Sequence, residues 1–288
     1  MTQPVTHTLD APGAVITYDV RPPSAPSGGA PLMLIGSPMD ASGFVTLAGH
    51  FSDRPVITYD PRGTGRSTRT DPAPESTPGQ HADDVRRVIE AVGGPVDLFA
   101  SSGGAVNALA LVAAHPGLVR TLVAHEPPAV RFTPDHEDAE AAVRGIRGLY
   151  EKSGLGPAMV KFIQIVSLKG PVPPGFADEP GPDPGTFGLP AEDDGARDDV
   201  LLGQNLVTCC LYEPDFDALR AAPTRVVVAV GAESADELAC RSARGVAERL
   251  GLSPAVFPGN HSGFLGGEYG QHGDPVPFAA TLREVLAG

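Results

Sequence analysis

The chain alternates short apolar runs with segments in which apolar residues recur every three or four positions. Short runs predict buried strands, and the helical spacing predicts amphipathic helices. Strands are predicted at residues 15–20, 31–35, 55–59, 96–100, 118–124, 225–230 and 255–257. Helices are predicted at residues 42–51, 80–92, 103–115, 235–250 and 278–286. Continuous apolar strands separated by helices favour a parallel sheet that is covered on both faces.

The alternation stops between residues 127 and 214, where no strand is predicted. Helix-like segments lie there at residues 139–150, 158–168 and 200–208. Proline disrupts helices and sheets, so a long loop is predicted around seven prolines, at positions 171, 173, 174, 180, 182, 184 and 190. We therefore expect a core domain made of residues 1–127 and 215–288, interrupted by a helical cap or lid at residues 128–214. An insertion that decorates the surface or mediates oligomerisation is the alternative.

The composition and charge of the chain limit which kinds of binding partner we expect. The 288 residues are 41% hydrophobic, enough for a sizeable core, and their formal net charge is −14. A negative field repels phosphate groups, so we expect neither nucleic acid nor a membrane surface as a partner. The N-terminal residues show no basic segment followed by an apolar one, and no apolar run approaches the ~18 residues of a spanning helix. We expect a soluble, cytoplasmic protein, and the oligomeric state stays open.

The three cysteines, at positions 209, 210 and 240, have neither the spacing of a zinc site nor a disulfide pattern. The G-T-G run at residues 63–65 is too short to cradle a phosphate and is not followed by lysine and a hydroxyl residue. The chain is therefore expected to use no metal or organic cofactor.

The segment with the clearest chemistry is a predicted strand that runs directly into Ser101, Ser102, Gly103 and Gly104 before a predicted helix. A reversal this tight needs small residues, and it would expose the Ser102 hydroxyl beside the N-terminus of the helix. The helix dipole and the free N–H of Gly103 could then stabilise an oxyanion. A serine that only caps the helix, followed by glycines needed for close packing, is the alternative.

Three motifs carry a resemblance to a known family. The residues A-S-S-G-G at 100–104 resemble the nucleophile elbow G-x-S-x-G, with alanine for the first glycine. The residues D-P-R-G-T-G-R-S at 60–67 resemble a D-x-R-G-x-G-x-S loop, and I-G-S-P at 35–38 resembles an H-G-x-P oxyanion loop. Together they resemble the α/β-hydrolase family in its form with a helical cap. The resemblance implies a mostly parallel central sheet flanked by helices, Ser102 as nucleophile, and the N–H groups of Ser37 and Gly103 as oxyanion donors.

The resemblance also implies a base and an acid. The residues F-P-G-N-H-S-G-F at 257–264 are similar to the family's G-x-H-x-x-F loop and imply His261 as the base. The family usually places the acid in G-x-x-D after the penultimate strand, but this chain has Ser234 there, with Glu233 and Asp236 close by. Some cap-bearing relatives, haloalkane dehalogenases among them, carry a glutamate at the position of Glu126. We take Glu126 as the acid; Glu233, Asp236 and a serine–histidine dyad stay open, as does a purely structural ion pair for Glu126.

These residues predict a serine hydrolase that cleaves an ester, thioester, lactone or similar carbonyl compound through an acyl-enzyme on Ser102. The partner is a small-molecule substrate whose identity the sequence does not specify. A cofactor-free haloperoxidase or perhydrolase and a carbon–carbon bond hydrolase are alternatives on the same fold. A non-catalytic protein that binds a small molecule in the same pocket is the alternative from another class.

Overall fold

A computed structural model describes residues 2–24 and 29–288 of the chain. Within these residues nine strands form one sheet, in the order β1-β2-β4-β3-β6-β7-β8-β9, with β5 paired to β2. The strands are β1 (Val5–Ala11), β2 (Ala14–Arg21), β3 (Leu32–Ile35), β4 (Val56–Tyr59), β5 (Thr68–Arg69), β6 (Val96–Ser101), β7 (Val119–His125), β8 (Arg225–Gly231) and β9 (Ala255–Phe257). Strands β6, β7 and β8 are therefore consecutive neighbours in the sheet.

The sheet is mostly parallel, as expected, with parallel pairing from β3 onward and antiparallel pairing at its other end. Strand β3 pairs in parallel with β4 and β6, and the parallel pairing continues through β7, β8 and β9. Strand β2 is antiparallel to β1, β4 and β5. A hairpin joins β1 to β2 through Pro12 and Gly13. Gly13 has a φ of 72°, a left-handed value that glycine adopts without steric cost. Strand β1 was not predicted, because most of its side chains are exposed and they form no apolar run.

Helices cover both faces of the sheet. They are α1 (Val45–Gly49), α2 (Pro78–Val92), α3 (Gly103–Ala114), α4 (His136–Ser153), α5 (Leu155–Val166), α6 (Leu206–Cys210), α7 (Phe216–Ala221), α8 (Leu238–Leu250) and α9 (Pro275–Ala287). Side chains of α2, α3, α7 and α8 form the apolar cluster on one face, and those of α1 and α9 form the cluster on the other. Because successive side chains of a strand point to opposite faces, Leu98 joins the first cluster and Phe99 the second.

The segment between β7 and β8 contains α4, α5, a six-residue π-helix (Val200–Asn205) and α6, and none of its described residues joins the sheet. It has an apolar cluster of its own, which includes Ile146, Tyr150 and Leu202. The proline-rich stretch is a loop that contains one turn of 3-10 helix, Pro184–Phe187. The role of this segment as a lid that opens and closes stays a prediction.

Polar contacts, among them the following two, tie the π-helix to the core. His81 Nε2 lies 2.7 Å from Asn205 Oδ1, and Arg69 Nη1 donates to Gln204 Oε1 at 2.7 Å. Both His81 and Asn205 are buried. Helix α6 follows the π-helix directly, and its Cys209 lies beside Gly103 at the start of α3. No helix in the described part of the chain is long and apolar enough to cross a membrane.

Candidate active site

Ser102 lies between β6 and α3 in a backbone conformation that side-chain-bearing residues rarely adopt, with φ 57° and ψ −128°. Such conformations cost free energy, persist only where the surrounding structure holds them, and cluster at functional sites. Here the Ser102 N–H donates to the carbonyl oxygen of His125 at 2.9 Å, and the Ser102 carbonyl accepts from Ala105. The Ser102 side chain makes no capping hydrogen bond to α3, so a helix-capping role does not explain this serine.

The two glycines after Ser102 let the backbone of residues 35–37 approach the elbow. A Cβ atom on Gly103 would lie 2.5 Å from the carbonyl oxygen of Ser37, and one on Gly104 would lie 2.8 Å from the Cα of Gly36. Both distances are too short for real contacts, so each position requires glycine. Since Gly103 is the first residue of α3, its N–H has no acceptor within the helix. The predicted oxyanion donors, Ser37 and Gly103, therefore lie side by side.

Glu126 follows β7 directly and is completely buried, with a left-handed φ of 47°. Its Oε2 accepts a hydrogen bond from His261 Nδ1 at 2.6 Å, and its Oε1 accepts one from the Gly231 N–H at 2.8 Å. Burial alone would raise the pKa of Glu126, but the His261 hydrogen bond, the two neighbouring histidines and the Gly231 N–H lower it to about 2. The carboxylate is therefore ionised, and it holds the His261 ring by Nδ1 so that Nε2 is left free.

The other two candidate acids lie elsewhere. Glu233 and Asp236 are exposed in the turn after β8, and no hydrogen bond joins either side chain to His261 within the described residues. The Glu233 N–H donates to the carbonyl oxygen of Gly259, which closes this turn against the His261 loop. Ser234, at the usual position of the family's aspartate, is buried and its Oγ has no hydrogen-bond partner among the described groups. The structure thus brings Glu126, and not its two rivals, to His261.

His125 contacts both Ser102 and His261. His125, whose carbonyl oxygen accepts from the Ser102 N–H, stacks its ring on that of His261 with 5.8 Å between centroids. Among the described residues no hydrogen bond joins the Ser102 hydroxyl to His261. Hydrogen bonds of this kind are often long in unliganded enzymes and shorten when substrate binds. The His261 side chain is 36% exposed, so its open edge is accessible to a substrate.

Two groups beside the site were not predicted to have a role there. His125 is a buried strand residue, and only its position before Glu126 could have drawn attention to it. Cys209, on α6, has its Sγ 3.2 Å from the position that a Cβ on Gly103 would take. Burial raises the pKa of the Cys209 thiol, so it stays protonated. Helix α6 therefore brings an uncharged side chain against the elbow.

Side chains of the D-P-R-G-T-G-R-S motif hold its loop in shape and tie it to neighbouring segments. The Asp60 carboxylate accepts from the N–H of Ala41 and from the backbone and guanidinium of Arg66. Arg62 is buried and pairs with the Asp84 carboxylate through two bonds of 2.8 Å. No group of three or more histidine, cysteine, aspartate or glutamate side chains in the described ranges could hold a metal ion.

A profile of the Alpha/beta hydrolase family matches residues 32–279, most of the chain and every element of the site. The chain belongs to this family. The resemblance inferred from the three motifs is confirmed, as is the expected fold of a mostly parallel sheet flanked by helices.

Known proteins agree with this assignment. The chain is similar to the uncharacterized hydrolase YraK of Bacillus subtilis (strain 168), with 28% identity over 267 residues and 89% of each chain covered. Two solved structures share the fold: a thermophilic esterase from Thermogutta terrifontis (TM-score 0.66, 20% identity, 99% of this chain and 98% of that one) and the proline iminopeptidase of Mycobacterium smegmatis (TM-score 0.64, 18% identity, 98% of each chain). The chain is an enzyme of the alpha/beta hydrolase type.

Proposed function

We propose that this enzyme is a serine hydrolase that cleaves an ester, thioester, lactone or similar carbonyl compound through an acyl-enzyme on Ser102. The observation that carries the proposal is the 2.6 Å hydrogen bond between the buried Glu126 carboxylate and His261 Nδ1, next to a serine in a strained elbow. A serine hydroxyl is a poor nucleophile until an adjacent base takes its proton, and an ionised carboxylate behind the ring makes that base stronger.

The reaction begins when Ser102 Oγ attacks the carbonyl carbon while His261 Nε2 takes the hydroxyl proton. The negative charge that develops on the carbonyl oxygen is accepted by the N–H groups of Ser37 and Gly103, and each such donor contributes roughly 3 kcal/mol to the stability of the transition state. Glu126 stabilises the imidazolium that forms. When the tetrahedral intermediate collapses, the carbon–oxygen or carbon–sulfur bond breaks and the leaving group takes the proton from His261.

Water completes the cycle by the same route in reverse. His261 Nε2 takes a proton from water as the water oxygen attacks the acyl-enzyme, and the same two N–H groups accept the second oxyanion. Collapse of this intermediate releases the carboxylic acid and returns the proton to Ser102 Oγ. The pair Glu126–His261 thus transfers one proton in each half of the reaction and ends in its starting state.

The test is hydrolysis of p-nitrophenyl esters, from acetate to decanoate, by the wild-type enzyme and by Ser102→Ala. We expect wild-type turnover and a loss of at least about 1,000-fold in kcat for Ser102→Ala, because the nucleophile is gone. A fluorophosphonate should label the wild type at Ser102, as located by mass spectrometry of peptides, and should leave Ser102→Ala unlabelled.

Ser253→Ala is the matched control, since Ser253 is an exposed serine far along the chain in the turn after α8. It should keep wild-type kcat and labelling. Thermal unfolding should first show that Ser102→Ala is folded. The proposal is wrong if this folded variant hydrolyses the esters at the wild-type rate, or if the fluorophosphonate labels another residue.

A further inference from the structure

His125 is a histidine in an aromatic box. Its ring is completely buried, and four phenylalanine rings lie within 5.5–6.3 Å of its centroid: Phe99, Phe257, Phe264 and Phe278. Burial lowers the pKa of His125 to about 4, so the ring is neutral at physiological pH.

A phenylalanine would pack among these four rings at a lower free-energy cost than a histidine. The Nε2 atom of His125 is buried and has no hydrogen-bond partner among the described groups. A buried polar atom without a partner costs free energy that an apolar ring of similar size avoids. Sequences break such packing rules mostly where function requires it, so the contacts that this ring makes with the active site become the relevant ones.

The box leaves one face of His125 for His261. The two imidazole rings are stacked, with centroids 5.8 Å apart and planes inclined by 24°. Glu126 holds the His261 ring at a single atom, Nδ1, and one hydrogen bond fixes a point but not a plane. The ring could therefore still turn about this point, since the His261 side chain is 36% exposed. The flat face of His125 removes that freedom on the buried side.

A hydrogen bond in turn holds the His125 ring. Its Nδ1 lies 3.1 Å from Ser101 Oγ, and Ser101 is the buried last residue of β6, directly before the nucleophile. The His125 carbonyl oxygen accepts from the Ser102 N–H. One residue thus contacts the elbow through both its ring and its backbone, while its ring supports the base.

We propose that His125 is a positioning residue that sets the ring plane of His261 and ties it, through Ser101, to the nucleophile elbow. The inference rests on the proposed serine-hydrolase function, because it assigns a catalytic purpose to the His261 orientation. The neutral charge of the His125 ring fits this role, since a cation stacked on His261 would oppose the imidazolium formed during catalysis.

The experiment compares His125→Leu, His125→Phe, Ser101→Ala and the double variant His125→Phe/Ser101→Ala. His125→Leu removes the flat face and should lower kcat on p-nitrophenyl butyrate about 10- to 100-fold with little change in KM, because a misplaced base slows chemistry rather than binding. His125→Phe restores the face without the hydrogen bond and should recover only part of this loss, because the ring is then no longer tied to Ser101. Adding Ser101→Ala to His125→Phe should have no further effect, because both changes break the same contact.

Phe278→Leu is the matched control, because the Phe278 ring packs against His125 in the same box but has no ring contact with His261 in the described structure. It should lower the melting temperature about as much as His125→Leu and keep kcat close to wild type. A second readout needs no turnover: the proton in the short Nδ1–Oε2 bond resonates far downfield in the NMR spectrum while the ring is held. We expect this resonance in the wild type and Phe278→Leu, and its loss to exchange in His125→Leu.

The inference is overturned if His125→Leu keeps both the downfield resonance and the kcat of Phe278→Leu. That outcome leaves the proposed function standing, since the wild type still hydrolyses the ester. If the wild type hydrolyses no ester, the proposed function fails instead, and loss of the resonance in His125→Leu alone still shows that His125 positions His261.

Discussion

Glu126 carries its charge at a position with no exposed surface. An isolated carboxylate there would be strongly disfavoured, but two hydrogen bonds, from His261 and from the Gly231 N–H, favour its ionised form. The left-handed backbone at Glu126 turns the chain out of β7, and the side chain contacts Gly231 and His261. Glu126 thus combines a buried charge with a strained backbone, which is the pattern expected of a functional group rather than a packing residue.

Replacement of this carboxylate tests the acid assignment. Glu126→Gln should lower kcat on p-nitrophenyl esters by about 1,000- to 10,000-fold, because an amide neither stabilises the imidazolium nor selects the same His261 tautomer. Glu233→Gln, an exposed carboxylate in the neighbouring turn, is the control and should stay within about two-fold of wild type. Steady-state kinetics on both purified variants decides between them. A larger loss in Glu233→Gln would move the acid to the turn after β8.

The close approach of Gly103 to Ser37 gives a second test at this scale. In Gly103→Ala the new methyl group would lie 2.5 Å from the Ser37 carbonyl oxygen and must push the loop away. We expect kcat to fall about 100-fold or more, since a displaced donor no longer meets the oxyanion. Gly79→Ala on α2, where the nearest atom would be 3.9 Å away, should be harmless to kcat. An unchanged kcat in a folded Gly103→Ala enzyme would argue against oxyanion donors at these positions.

At the scale of elements, the site is assembled by strand order. Ser102 follows β6, Glu126 follows β7, and Gly231, which donates to Glu126, ends β8. Parallel strands present their carboxyl ends at the same edge of a sheet, so these three turns meet although long segments separate them along the chain. The same geometry offers a second place for a carboxylate, after β8, where Ser234 Oγ lies 2.7 Å from the position of a Cβ on Gly231.

A carboxylate introduced at position 234 should partly replace Glu126 in catalysis. We expect Ser234→Asp to raise kcat of Glu126→Gln at least about ten-fold, because a carboxylate after β8 can reach the His261 loop from the other side. In the wild-type background the same change buries a second carboxylate beside Glu126, and we expect a lower melting temperature there. Kinetics and thermal unfolding of the two variants measure both effects. A folded double variant no more active than Glu126→Gln would show that only the end of β7 can hold the acid.

At the scale of the whole molecule, three buried groups make the fold sensitive to acid. Burial lowers the pKa of His81 and of His125 to about 4, from an ordinary value of 6.5. The unfolded chain therefore binds these two protons as the pH falls below about 6.5, whereas the folded chain binds them only near pH 4. Glu126 acts over a lower range, because its folded pKa of about 2 lies below its unfolded value. All three effects make the free energy of unfolding fall with falling pH.

This linkage can be measured on His81, which lies away from the active site and contacts Asn205. Between pH 7 and pH 5 each buried histidine should lower the free energy of unfolding by about 2 kcal/mol. His81→Gln removes one titrating group, so it should lose about 2 kcal/mol less than the wild type over this interval. Urea denaturation of both proteins at the two pH values provides the comparison. An identical loss in both would mean that His81 is not neutral in the folded state.

Local features of the chain were readable from the sequence alone. An elbow needs small residues at adjacent positions, and buried strands need apolar runs, so both residues 100–104 and the central strands were predicted. The roles of Ser102 and His261 came from motifs of this local kind, and their catalytic function stays a prediction for kinetics to test. The exposed strand β1 has no such local pattern and was missed.

The sequence by itself determined the fold family and pointed to the segments proposed to carry the chemistry, because both depend on residues that are neighbours along the chain. It left open which of Glu126, Glu233 and Asp236 meets His261, and it contained no sign that His125 supports that ring. Only the tertiary structure decided these points. Burial, hydrogen bonding and ring stacking depend on which strand ends lie side by side, and β7 and the His261 loop are brought together by the sheet after more than a hundred intervening residues.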